Sequence, residues 1–331
     1  MSYKAAVIIP CRNEAKTIRL LLEALSQQSI PQDEMEVIIA DGMSRDDTRQ
    51  VIQDYQVAHP EMHLRVVDNP KQIIPAALNT AILASQAEVI IRMDAHAIPR
   101  PDYVERCVNA LEAGVAENVG GVWDIQPQTD TWMARSIAAA AAHPLAVGDA
   151  HYRFTSKAAY VDTVPFGAVK RELIGKVGLY DETLLTNEDY EFNTRIRQAG
   201  GRIWLDPQIR SVYFARKNLK ELAQQYWRYG YWKAQMLRRY PETLRLRQAL
   251  PPLFVLSLVL LPLLGLLFKP FLYVFYAEVG VYLLVLLAVG IQLAIKQKDL
   301  LLVPGVLLAI ATMHLSWGAS FIASIFCKSA R

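Results

Sequence analysis

The stretch "EVIIRMDAHAIPRP" (Glu88–Pro101) decides how this chain is read. It opens on the apolar run Val89-Ile-Ile91. It then places Asp94 and His96 one residue apart and closes with Pro99 and Pro101. A short apolar run bounded by turn residues is a buried strand. An acid and an imidazole at the tip of such a strand need a reason. One reading makes Asp94 the cap of a helix starting near Pro101. The other makes the pair a divalent-metal site at the carboxyl end of a parallel strand.

Working outward, the same unit recurs. Strands are expected at Lys4–Pro10, Met35–Ala40, Leu64–Val67 and Glu88–Met93. Helices are expected at Asn13–Gln27, Ser44–Tyr55, Ile74–Ser85 and Asp102–Ala113, the first from its stripe Ile18, Leu21, Leu22, Leu25. Alternating strands and helices with continuously apolar strands imply an α/β fold with a parallel sheet covered on both faces. Such sheets bind ligands beyond the carboxyl ends of their strands. The polar residues at those ends are Arg12, Asn13 and Glu14, then Asp41, then Asn69, then Asp94 and His96. There is no GxGxxG after the first strand and no GxxxxGK[ST], which disfavours a dinucleotide dehydrogenase and a P-loop NTPase.

Apolar residues make up 53% of the chain, above the globular norm, and the excess is concentrated after residue 248. Ala249–Phe268 has no charge, Phe271–Ile295 only Glu278, and Leu300–Cys327 no Lys, Arg, Asp or Glu. A helix needs about 20 residues to cross the hydrocarbon core, so three spans are expected over 249–268, 271–295 and 300–327. The rival is two spans plus a re-entrant or interfacial hairpin, because Pro251, Pro252, Pro262 and Pro270 interrupt the first run. Residues 215–248 carry nine Lys/Arg against Glu221 and Glu242, a basic collar that puts the N-terminal part on the cytoplasmic side. Lys296 and Lys298 agree with that orientation, whereas Lys328 and Arg331 would face out. Asn218 and Glu221 make a capping box for an amphipathic helix over 218–240, lying in the membrane interface, packed on the catalytic domain, or both. Glu278 and His314 are intramembrane ionisable groups, either functional or facing neighbouring helices. The three cysteines are widely spaced, which suits a reducing compartment, and the N-terminus shows no signal peptide. The expected domains are 1–214 (catalytic), 215–248 (basic interface helix and linker) and 249–331 (membrane).

The segments "VIIPCRNEAKTIRLLLEAL", "EVIIADGMSRDDT", "IPAALNTAI", "EVIIRMDAHAIPRPDYV" and "LLTNEDYEFNTRIRQAGGRIWL" occur in the order found in family 2 inverting glycosyltransferases, and over about Tyr3–Tyr240 the chain resembles that family. The "MDAHA" variant and the apolar tail are similar to its succinoglycan-type, ExoA-like membrane-bound glucosyltransferases. The resemblance implies a glycosyltransferase-A fold, Rossmann-like with a mostly parallel sheet, followed by an all-α transmembrane region. It implies a nucleotide-sugar donor, UDP-linked by the same token. Pro10, Arg12, Asn13 and Glu14 would sit at the nucleoside end, and Asp41 would hydrogen-bond the base. Arg92, Asp94, Gly121 and Arg228 would complete the donor site. Asp94 and His96 occupy the family's Asp-x-Asp metal position, the histidine being a departure. His96 either ligates the metal or hydrogen-bonds around it. Mg²⁺ or Mn²⁺ suits carboxylate and diphosphate oxygens, and an imidazole tilts the choice toward Mn²⁺.

The resemblance also makes Asp189 the general base, with Glu188 supporting it. Independently, Asn187 is a good N-cap and Gly200 a good stop for a helix Glu188–Ala199, so the dipole favours negative charge at Asp189. The two residues could equally serve that dipole alone. Gly120-Gly121 would let the backbone approach the sugar. "VPFG" (Val164–Gly167) would line the acceptor side through Gly167. "QYWRY" (Gln225–Tyr229) resembles the family's Gln-x-x-Arg-Trp element, with Arg228 toward the diphosphate and Trp227 or Tyr229 toward the acceptor. These last residues could instead belong only to the interface helix.

The function expected is membrane-bound transfer of a sugar to a polyprenyl-linked or glycan acceptor in exopolysaccharide or cell-surface glycan synthesis at the inner membrane. The catalytic domain would be cytoplasmic, membrane lipid the surrounding partner, and no nucleic-acid partner is expected. The alternatives are a polyprenyl-phosphate glycosyltransferase and a non-catalytic membrane ligand-binding or scaffold protein.

Overall fold

The structure is a computed structural model that describes residues 3–327. Lys328 and Arg331, expected to face out, lie outside the described residues. The chain falls into two compact units. One holds the chain up to Asp124 together with Phe154–Tyr213. The other holds Ile125–Arg153 together with the chain from Phe214 onward.

The first unit is built on β1 (Ala5–Cys11), β2 (Met35–Asp41), β3 (His63–Asp68) and β4 (Val89–Arg92). They pair in parallel in the order β3-β2-β1-β4. Alternate residues of β1 go to opposite faces, as the period of a strand requires. Val7 and Ile9 pack with α1 (Ile18–Ser26) and α4 (Tyr103–Glu112). Ala6 and Ile8 pack on the other side with α3 (Ile74–Ala84), α7 (Arg171–Val177) and α8 (Glu188–Gln198). α2 (Thr48–Ala58) links β2 to β3.

Beyond β4 the pairing changes hand. β5 (Ile98–Pro99), β6 (Asn118–Pro127), β7 (Ala159–Tyr160), β8 (Ala168–Lys170) and β9 (Ile203–Ala215) complete nine strands in the order β3-β2-β1-β4-β8-β6-β9-β5, with β7 on β9. The β4–β8, β6–β8, β5–β9 and β7–β9 pairs are antiparallel. The sheet is therefore mixed: the repeating strand-helix half is parallel, and the half without that repeat is antiparallel.

The starts of α1 and α2 and the cap of α8 differ from the periodicity, α2 beginning at Thr48 and not at Ser44. α1 begins at Ile18, not Asn13: Asn13 has a left-handed backbone (φ 56°) that a right-handed helix cannot include, and the N–H groups of Asn13, Glu14 and Ala15 are held by Ser44 Oγ, Thr48 Oγ1 and Asp46 Oδ2. Asn187 precedes α8 in the left-handed region (φ 67°), and its side chain does not accept from the first turn. An N-cap needs extended backbone to aim its oxygen along the helix, so Asn187 fits here through its tolerance of αL instead.

The second unit contains α5 (Trp132–Ala141), α6 (Pro144–Val147), α9 (Leu219–Leu237), α10 (Leu246–Gly265), α11 (Pro270–Gln297) and α12 (Leu302–Phe326). The last three are long and apolar enough to cross a membrane. α10 is continuous through Pro251, Pro252 and Pro262. Pro252 has no N–H for the Gln248 carbonyl, and the Trp317 indole N–H takes that oxygen instead (3.3 Å). Asn218 caps α9: its Oδ1 accepts from Glu221 N (2.9 Å), while Glu221 Oε1 accepts from Asn218 Nδ2 (3.0 Å). Glu278 accepts from Ser257 Oγ (2.7 Å) and ties α11 to α10. His314 lies between Tyr282 Oη and the Leu145 carbonyl, each at 3.1 Å. A carbonyl can only accept, so Nε2 carries the proton and Nδ1 accepts from the tyrosine.

Candidate active site

The carboxyl ends of β1, β2 and β4 present polar residues because the apolar part of each strand stops there. On β4, Arg92 is nearly fully buried. Its Nη2 donates to Glu188 Oε1 at 2.9 Å and to Asp94 Oδ1 at 3.2 Å. One guanidinium thus bridges the strand end to the first turn of α8 and brings Asp94 near the Glu188-Asp189 pair. Arg92 Nη1 is buried and has no hydrogen-bond partner among the described residues. Asp94, with 28% of its side chain exposed, is open enough to meet a ligand.

Burial disfavours charge on both Glu188 and Arg92, with opposite outcomes. Burial pushes the Glu188 carboxyl up to about 7, with Asp189 and Asp94 adding to the rise and Arg92 opposing it. Burial would lower the guanidinium pKa, but Asp94, Glu188 and Asp189 outweigh it, and Arg92 stays charged. Asp189 is half-buried, and its Oδ1 accepts the backbone N–H of Tyr190 at 2.7 Å.

Glu14 and His96 meet across the β1 and β4 ends, Nδ1 to Oε1 at 3.3 Å. Thr17 Oγ1 donates to the other oxygen at 2.6 Å. Burial alone would raise the Glu14 pKa, but the His96 and Thr17 hydrogen bonds bring it below its ordinary value. Asn13, in the αL region (φ 56°), accepts the Arg45 N–H at 2.9 Å. Pro10 is half-buried and Arg12 exposed at the same rim.

Three of the expected site positions are engaged by the protein itself. Asp41 does not present a free carboxylate: its side chain is fully enclosed and accepts from Ser44 Oγ (2.5 Å) and Arg49 Nε (2.6 Å). It organises the β2–α2 loop, and Arg49 reaches on to Asp68. The Gly120-Gly121 pair serves packing: a Cβ on Gly121 would lie 1.8 Å from the Ile209 carbonyl oxygen, and one on Gly120 would lie 2.6 Å from Val164 Cβ. In "VPFG", Val164 and Phe166 are core residues, Phe166 against Trp123. Gly167 is half-buried, receives the Arg92 N–H on its carbonyl, and sits where a Cβ would strike the Asn118 side chain.

In the second unit, Trp227 and Arg228 line an open cavity of about 650 Å³ together with Arg216, Gln225 and Ser316. Neither Arg216 nor Arg228 has an ion-pair partner among the described residues. Glu221, in the same wall, is engaged by Lys217 and Asn218. Tyr229 is outside the lining, where its hydroxyl accepts from Gln225 (2.8 Å). Sequence reasoning missed Arg216 and Arg49. Arg216 lies in the basic block with nothing to single it out, and Arg49 looked like an ordinary polar face of α2.

No group of three or more His, Cys, Asp or Glu side chains able to hold a metal occurs among the described residues. Asp94 and His96 nevertheless fit a hard divalent ion of the kind that takes one or two protein ligands and completes its shell with phosphate oxygens and water. Asp94 Oδ2 accepts no hydrogen bond among the described residues, both side chains are partly exposed, and the nearby carboxylates offset the Arg92 charge.

A mixed α/β sheet with polar residues gathered at the carboxyl ends of its parallel strands is a build that binds ligands there. The sequence pattern of glycosyl transferase family 2 matches residues 6–178. The succinoglycan biosynthesis protein ExoA of Rhizobium meliloti is 32% identical over 97% of this chain and 94% of its own length. A dolichyl N-acetyl-alpha-D-glucosaminyl phosphate glucuronosyltransferase of Methanococcus voltae is 27% identical over 71% of this chain and 74% of its own. Among solved structures, the mannosyltransferase PcManGT from Pyrobaculum calidifontis, in complex with GDP-Man and Mn²⁺, aligns with a TM-score of 0.60 at 20% identity over 95% of this chain and 88% of that one. S. aureus TarS 1-349 in complex with UDP-GlcNAc aligns with a TM-score of 0.52 at 15% identity over 95% and 90%. The chain belongs to glycosyl transferase family 2 and is a glycosyltransferase with the glycosyltransferase-A fold.

Proposed function

We propose that this glycosyltransferase moves a hexose from a nucleoside-diphosphate sugar, UDP-linked, to a lipid-linked glycan acceptor at the cytoplasmic face of the inner membrane, with inversion at the anomeric carbon. The product serves exopolysaccharide or cell-surface glycan synthesis. The observation that carries the reading is the Arg92 bridge, which holds Asp94 and Glu188 together and leaves Asp189 half-exposed beside them.

In this reading Asp189 takes the proton from the acceptor hydroxyl as that oxygen attacks the anomeric carbon, and the nucleoside diphosphate leaves from the opposite face. Glu188, buried and held by Arg92, supports Asp189 from behind and is not itself open to the acceptor. Pro10, Arg12, Asn13 and Glu14 form the nucleoside rim, with Asp41 acting through Ser44 and Arg49. Asp94 and His96 would hold Mg²⁺ or Mn²⁺, which when bound neutralises the charge developing on the diphosphate. The Arg216–Arg228 cavity suits an anionic phosphate, and the exposed Trp227 suits a sugar or isoprenoid. The name of the Methanococcus relative contains a dolichyl phosphate-linked sugar, which supports a lipid-linked acceptor.

Calorimetry of the detergent-purified chain with UDP, with and without Mn²⁺, tests the donor site. Metal-dependent binding that persists in Asp189→Asn and disappears in Asp94→Ala supports the assignment. Asp189→Asn should also abolish transfer, and near-normal turnover in that variant would sink the base. Absence of UDP binding under both conditions would remove the uridine donor.

A further inference from the structure

We infer that the third apolar helix, α12, does not cross the membrane but lies along its surface, both ends on the face that carries α9. Three crossings would place α10 and α12 side by side in the same direction, each starting from one face. The contacts are different. The start of α10 meets α12 at its middle. Trp317 Nε1 donates to the Gln248 carbonyl (3.3 Å), and a Cβ on Gly318 would stand 2.4 Å from the Pro251 oxygen. That level divides α12 into Leu302–Ser316, about 22 Å of helix, and Ala319–Phe326, about 12 Å. Neither piece reaches the ~30 Å of a hydrocarbon core.

α9 supplies a second, independent observation. It runs parallel to the last third of α12. A Cβ on Gly230 would sit 2.3 Å from Ser320 Oγ and 2.4 Å from the Trp317 carbonyl, so the two backbones are in close approach. Gln235 Nε2 donates to Ser324 Oγ (2.9 Å), and Ser324 Oγ donates to the Tyr231 carbonyl (2.9 Å). Arg238 Nη2 then donates to the carbonyls of Ser324 (3.0 Å), Ile325 (3.1 Å) and Cys327 (2.7 Å), closing the end of α12. α9 exposes Lys220 and Arg228 and leads into exposed Arg239 and Glu242. Each charge carried to the bilayer centre costs about 3 kcal/mol or more. α9 therefore stays at the water-facing level and holds the end of α12 there.

The exposed surface agrees. α11 shows apolar side chains around much of its circumference, Tyr273, Val274 and Tyr276 among them. α12 shows Leu308, Leu315 and Phe326 on one stripe that continues from Leu301 just before it, with only Ile325, in the last turn, exposed off it among the large apolar side chains described. The opposite side is covered by Ser136 of α5, the Leu145 carbonyl of α6, and α9. A single apolar stripe is the mark of a helix lying in the interface. The α10–α11 hairpin is then the part that enters the hydrocarbon.

The inference rests on the membrane reading of the apolar helices but not on the reaction, and its test involves no turnover. Cys327 is exposed while Cys11 and Cys107 are buried, so the native chain carries its own reporter. In sealed vesicles of both orientations, a membrane-impermeant maleimide should label Cys327 from the same face as Lys220→Cys in a Cys327→Ser background. Labelling of Cys327 only from the face opposite to Lys220→Cys overturns the inference, because α12 then crosses. Labelling from neither face, in protein that labels after solubilisation, overturns it too by placing the helix end inside the hydrocarbon.

Discussion

Replacing Arg92 with methionine removes the guanidinium that joins Asp94 to Glu188 while keeping most of the side-chain volume. Glu188 is then a buried carboxyl with no opposing cation, and Asp189 and Asp94 still press its pKa upward from about 7. Asp94 is partly exposed and recovers some hydration, so Glu188 carries most of the effect. At pH 5.5 Glu188 is protonated in the wild type and in the variant. The cost there is that of lost hydrogen bonds to a charged donor, about 1–3 kcal/mol. At pH 8 the wild type holds a paired carboxylate. The variant instead retains its proton, because burying the unpaired charge would cost about 3–5 kcal/mol. The destabilisation should therefore grow by about 1 kcal/mol between the two pH values, the free energy that ionisation against Arg92 contributes one pH unit above the Glu188 pKa of about 7. Cys11 and Cys107 are buried in the first unit, so in a Cys327→Ser background their reaction with a fluorogenic maleimide on denaturant titration reports the unfolding of that unit. Equal destabilisation at pH 5.5 and pH 8, or a loss below about 1 kcal/mol at both, would refute the bridging role.

Other outcomes follow from the same geometry. The native state binds more protons than the unfolded chain between pH 4.5 and 7, because the folded Glu188 pKa is raised across that window. Stability falls as pH rises through it, and Glu188→Gln should flatten that slope in the same thiol assay. Gly121→Ala forces a Cβ against the Ile209 carbonyl and should cost about 3 kcal/mol or more, or prevent folding, seen as early reactivity of Cys11 and Cys107. Asn13→Ala loses both an αL-tolerant residue and the acceptor for Arg45 N–H, a cost of about 2 kcal/mol, and should weaken UDP binding by calorimetry. Gly230→Leu should separate α9 from α12, raising the maleimide reactivity of Cys327 as Arg238 loses its carbonyls.

The sequence by itself determined the parallel half of the sheet and the residues at its carboxyl edge. Strands of Val, Ile and Ala between helical stripes have few other ways to bury their surface, so β1 to β4 and the residues at their ends could be read from spacing alone. It also determined that residues 249–327 form membrane-compatible helices, because runs of 20 or more residues with at most one charge have no other common home. What it could not determine depends on partners distant in the chain. Gly121 and Ile209 are 88 positions apart, and nothing near the glycine announces the carbonyl that forbids a Cβ there. Asp41 looks like any acid at a strand end until Ser44 and Arg49 close around it. Arg92 reads as the last residue of a strand, and only the return of the chain at Glu188 turns it into a bridge. The antiparallel half of the sheet is invisible to a local pattern because its strands are short or pair with strands far away in sequence. Hydropathy likewise scores α12 one residue at a time, while its depth in a membrane is set by the charged helix packed along it. Local periodicity records which surfaces must be buried; tertiary contacts decide against what, and at the site that choice decides which carboxylates stay open to a ligand.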